Sequence, residues 1–84
     1  MDDITKAKLK MWQDKLVKVK EEYEGVMQRR GEAMQMGDLR ENAAYQMLSE
    51  DADAYRARIK DVETIIAQIE DAAGVNRQLK RSTE

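Results

Sequence analysis

Apolar residues in the first half of the chain fall at Leu9, Trp12, Leu16, Val19, Tyr23 and Val26. Their spacing alternates between three and four, the a/d signature of a heptad repeat, so this half predicts one long amphipathic helix. The stripe continues formally to Arg30 and Ala33, where it loses hydrophobicity. A second stripe with the same alternation runs through Tyr45, Leu48, Ala52, Tyr55, Ile59, Val62, Ile66 and Ile69. Extended backward by one step of four, it reaches Glu41. Gly37 lies between the two stripes and can adopt the left-handed backbone that ends a helix. Asp2 or Asp3 is suited to cap the first helix, and Gly74 to end the second.

Two seams joined by a short connection imply an antiparallel pair. The layers then read Val26 with Leu48, Tyr23 with Ala52, Val19 with Tyr55, Leu16 with Ile59, Trp12 with Val62, and Leu9 with Ile66. A large residue faces a small one at Tyr23 and Ala52, as interdigitation requires. The expected fold is all-α: a long antiparallel two-helix coiled-coil hairpin over residues 1–74, with arms of about 45 Å. Its tip is expected near residues 34–41, with the turn between Met34 and Leu39. Residues 75–84 are polar, include Lys80 and Arg81, and read as a flexible tail.

Composition narrows the chemistry. The chain of 84 residues has no proline, cysteine, histidine or phenylalanine. Absent proline permits uninterrupted helices. Absent cysteine and histidine exclude a disulfide framework, the usual zinc sites and the commonest nucleophile–base pairs. The net charge of −2 argues against a general polyanion binder. No apolar run approaches the ~20 residues of a membrane span, and no signal-peptide core follows Met1. The expected location is the cytoplasm, with no membrane association. Met11, Met27, Met34, Met36 and Met47 flank the seams or gather toward the tip. They read either as adaptable packing or as a soft surface for a partner or a second copy, which leaves weak self-association open. Gly25 and Gly31 read as tolerated defects of the first helix, each costing roughly 1 kcal/mol against alanine.

The candidate chemistry lies at the tip. Asp38 precedes a helical run and Glu41 follows three residues later, which is the spacing of a capping box. Glu41 also lies near Arg29 and Arg30 of the opposite arm, within reach of a salt bridge. The alternative is that both carboxylates bind a divalent cation. Two acids are too few to hold magnesium alone, which keeps waters and takes further oxygens from a substrate. Such a site is incomplete until another molecule supplies ligands.

The nine residues Gly37-Asp38-Leu39-Arg40-Glu41-Asn42-Ala43-Ala44-Tyr45 resemble the tip motif of the Gre family of bacterial transcript cleavage factors. Arg58-Ile59-Lys60-Asp61-Val62-Glu63 also resembles the second arm of that family, and the likeness covers most of the chain from Leu9 to Glu70. The resemblance implies a coiled coil that enters the secondary channel of bacterial RNA polymerase. It implies that Asp38 and Glu41 assist catalysis there, sharing Mg²⁺ with the polymerase and orienting a water against the 3′ end of backtracked nascent RNA. The hairpin would stimulate the polymerase without being an enzyme, and would need no cofactor in isolation. Leu39, Asn42 and Tyr45 match positions that shape the tip, and Arg40 matches a basic position able to face RNA phosphate. Gre factors also carry a globular C-terminal domain, whose beginning residues 73–81 do not resemble. The chain is therefore read as either a segment ending at a domain boundary or a single-domain relative. The competing readings are a regulator or inhibitor of polymerase that competes with Gre factors, and a structural hairpin that self-associates into a four-helix bundle.

Overall fold

The structure is a computed structural model and describes residues 1–37 and 41–74. Asp38, Leu39, Arg40 and the tail expected at 75–84 lie outside the described residues. Two helices are present, α1 (Asp3–Met34) and α2 (Ala43–Ala72), and they pack along each other as an all-α hairpin with no strand among the described residues. At 32 and 30 residues the arms are matched in length, about 45–48 Å each.

The ends of the helices follow from local chemistry. Asp2 caps α1, its carboxylate accepting the Thr5 backbone N–H at 2.7 Å. That bond satisfies one of the donors a helix N-terminus leaves without a partner, and it holds the Asp2 carboxyl below its ordinary pKa. At the other end of α1, Gln35 and Met36 donate to Glu32 and Ala33 carbonyls, closing the last turn. Gly37 follows with φ 133°, and Gly74 follows α2 with φ 87°. Both values belong to glycine, because a Cβ disfavours positive φ.

The seam has the composition a two-helix stripe allows. Val19, Val26, Ala33, Ala52 and Val62 are buried, and the larger seam residues Leu9, Trp12, Leu16, Tyr55 and Ile59 are half-buried. Ala52 is the most enclosed at 1% exposure, as expected where a small residue faces a large one. Of the methionines flanking the seam, Met11, Met34, Met36 and Met47 are exposed and Met27 is half-buried.

One detail extends the sequence reading and two depart from it. The seam continues through Arg30 and Ala33 as its spacing predicts, but the loss of hydrophobicity there is a built layer: Ala33 is 5% exposed, and Arg30 hydrogen-bonds to the second arm. The second helix begins at Ala43 and not after Asp38, so the connection spans residues 35–42 and is longer than a turn confined to Met34 to Leu39. Glu41 is not a seam residue. It is exposed and precedes the helix, and Asn42 occupies the inward position instead.

Candidate functional site

The described part of the tip is built around Asn42. Its backbone is extended, with φ −90° and ψ 92°, which turns the chain into α2. Its side-chain oxygen accepts the Tyr45 N–H at 3.0 Å, the bond expected of an N-cap. Its amide nitrogen donates to the Ala33 carbonyl at 2.6 Å, across the hairpin. One side chain thus caps α2 and gives the Ala33 carbonyl, which also accepts the Met36 N–H, a second donor from across the hairpin. An aspartate could perform only the first task, because a carboxylate has no proton to donate.

The cap of α2 is Asn42, and of the capping box expected from Asp38 and Glu41 only Glu41 is described. Residue 41 is in a bend, outside α2, and the first acid of that box lies outside the described residues. The salt bridge expected between Glu41 and Arg29 or Arg30 is also not formed. Among the described residues Glu41 makes no ion pair, and it lies exposed on an open groove with Met36, Ala43 and Ala44.

Arg30 is engaged one turn down the shaft. Its Nε donates to Ser49 Oγ at 2.9 Å and its Nη2 donates to the Tyr45 hydroxyl at 2.9 Å. The guanidinium also lies 5.0 Å from the centre of the Tyr45 ring, within the range of a cation–π contact. Tyr45 is therefore held at both ends, by its backbone N–H on Asn42 and by its hydroxyl on Arg30. Sequence reasoning placed Asn42 and Tyr45 at the tip but missed Arg30 and Ser49. The available signal was a long cation at an a position, opposite the a-position Tyr45 in the next layer of the seam.

The structure places Glu41, Asn42 and Tyr45 together at one end of the rod. Of the residues expected to carry function, Asp38, Leu39 and Arg40 lie outside the described residues. Among the described residues no group of three or more metal-ligating side chains comes together. No described helix is long and apolar enough to cross a membrane.

Fold and site together define a class: an all-α coiled-coil hairpin whose shaft is fastened by hydrogen bonds where it meets its loop. The sequence model for the N-terminal domain of the transcription elongation factors GreA and GreB matches residues 3–70, nearly the whole hairpin. The chain belongs to that family, as the tip motif implied. No curated protein and no solved structure gave a match.

Proposed function

We propose that the hairpin enters the secondary channel of a bacterial RNA polymerase and delivers Asp38 and Glu41 to the polymerase active site. There the two carboxylates assist hydrolysis of the extruded 3′ end of a backtracked transcript. The polymerase is the enzyme, and the hairpin supplies part of its metal shell. The setting is the cytoplasm, where the polymerase works.

One observation carries this reading beyond family membership. Asn42 performs the capping and bridging at the tip, which leaves the Glu41 carboxylate exposed and without an ion pair among the described residues. A carboxylate in that condition suits a hard cation such as Mg²⁺, which takes one or two protein carboxylates and completes its shell elsewhere. Bound magnesium would supply charge neutralisation and an activated water. Asp38 and Glu41 would each contribute an oxygen ligand, and Arg40 a contact to RNA phosphate. Asn42 and Tyr45 hold the ends of the loop that carries them.

The test is Mg²⁺-dependent cleavage in stalled, backtracked polymerase complexes, with wild-type and Asp38→Asn hairpins at equal occupancy. Asn replaces a charged oxygen ligand with a neutral amide, while the cap at Asn42 is untouched. Stability is expected to stay within about 0.5 kcal/mol of wild type. Stimulation is expected to fall at least about a hundredfold, because even supporting residues around a metal cost 10–100-fold when lost. Equal stimulation by both proteins refutes the assignment of Asp38. If wild type stimulates nothing but displaces a full-length Gre factor, the competitor reading replaces it. A stable dimer with occluded tips favours the structural hairpin.

A further inference from the structure

We propose that Arg30 is a positioning residue, which fixes the axial register of the two helices and so the depth at which the Glu41 carboxylate is presented. The inference rests on the polymerase reading above for its catalytic consequence, but its structural half stands apart from it.

Arg30 occupies an a position of the seam, where an apolar residue would pack better. Its guanidinium is partly buried, and among the described residues it forms no ion pair with a carboxylate. Desolvating a charge is costly, and replacing buried ionic groups by well-packed apolar ones is often neutral or stabilising. Stability alone therefore gives little reason for arginine here. What arginine adds is direction. Its planar fork divides between Ser49 and Tyr45, two residues one helical turn apart on α2. Both bonds are made at 2.9 Å in one relative height of the helices. Leucine or methionine at this position would pack without any directional bond to resist a small axial shift.

The magnitude of a slip decides the matter. Moving α2 along α1 by one residue shifts it by about 1.5 Å. Metal–ligand distances tolerate only about ±0.2 Å. A register error of a fraction of a residue is therefore enough to take a carboxylate off its cation. Tyr45 passes the restraint to the tip, because its N–H is bonded to Asn42, which is in turn bonded to Ala33. The chain Arg30–Tyr45–Asn42–Ala33 closes a ring across both helices at the base of the loop.

The deciding variant is Arg30→Leu, which completes the apolar seam. It is expected to unfold at the same or a higher denaturant concentration than wild type. Backbone order parameters at Glu41 and Asn42, measured by ¹⁵N relaxation on the free chain, are expected to fall from the rigid value of ~0.85 towards ~0.6. In the cleavage assay the maximal rate at saturating hairpin is expected to drop on the order of tenfold. The half-saturating concentration is expected to stay unchanged, because the Arg30 guanidinium is engaged within the hairpin by Ser49 and Tyr45. Tyr45→Phe, which removes only the hydroxyl, should show the same pattern more weakly and add little to Arg30→Leu. An Arg30→Leu hairpin with wild-type order parameters and wild-type maximal rate overturns the proposal and makes Arg30 a packing residue. If the wild-type hairpin stimulates no cleavage, the polymerase reading falls, and the order parameters alone decide: loosening supports the clamp, and no change overturns it.

Discussion

Near the end of the hairpin where the chain begins, Trp12 lines an open groove with Ile65, Ile69 and Ala72; at the opposite end, Arg30, Tyr45, Ser49 and Asn42 form a chain of hydrogen bonds. Both ends must hold two helices together, and they rely on different forces. Apolar contact along the shaft is non-directional and scales with the area removed from water. The interdigitating side chains set the layers, but with no large side chain fully enclosed among the described residues they resist small axial shifts only weakly. The hydrogen bonds at the tip contribute only about 1 kcal/mol each, but they operate within narrow limits of distance and angle. The shaft therefore supplies most of the stability and the tip end supplies most of the geometry.

Substitutions that strike one force and spare the other sharpen this contrast. The largest effect on stability is expected in the shaft. Leu16→Ala removes a half-buried seam residue, and about 2 kcal/mol should be lost, the low end for leucine because a two-helix core collapses partly around the gap. Urea unfolding followed by circular dichroism measures it, and an unchanged midpoint would break the assigned layers. Order at Glu41 should be unaffected below the transition.

A smaller energetic effect with a larger geometric one is expected from Asn42→Asp. Aspartate caps as well as asparagine. It loses the donor to Ala33, however, and places a carboxylate oxygen against a carbonyl oxygen. A loss of about 1–2 kcal/mol is expected, with the Tyr45 N–H still protected from hydrogen exchange and the 35–42 connection loosened. Equal order in both proteins would show that the cap alone organises this end.

The smallest effect concerns Asp2, at the far end. Its pKa is lowered in the folded state by the bond from Thr5. Its contribution is thus fully present above the ordinary carboxylate pKa and is lost as pH falls through the lower folded value. Asp2→Asn keeps a capping oxygen and removes the titration. Compared by urea midpoint from pH 5 down to pH 2, wild type should lose slightly more stability than the variant. Parallel curves would show that the cap is electrostatically silent.

The heptad steps made the two arms, their antiparallel pairing and both helix-ending glycines legible in advance. The second helix start was not legible, because Asp38 and Asn42 are both favoured caps four residues apart. The choice between them depends on a contact from the other arm: only the amide can also donate to Ala33. The polar layer was hidden for a related reason. Arg30 breaks the apolar pattern, and a stripe read on one helix cannot show that Tyr45 and Ser49 complete it from the other. The roles proposed for Asp38 and Glu41 come from the tip motif; the structure adds only that Glu41 is exposed and in no ion pair among the described residues, because ligands from a second molecule are not part of the isolated chain.

The bond from Asn42 to Ala33 also separates the loop from its support. With the mouth of the loop tied shut, its length is a nearly independent variable: each doubling costs only about 0.6 kcal/mol in closure entropy. Residues 38–41 can then be regarded as an exchangeable head on a fixed handle. Heads of different length or charge could be grafted between Gly37 and Asn42 without re-registering the shaft, giving a series of hairpins of graded reach.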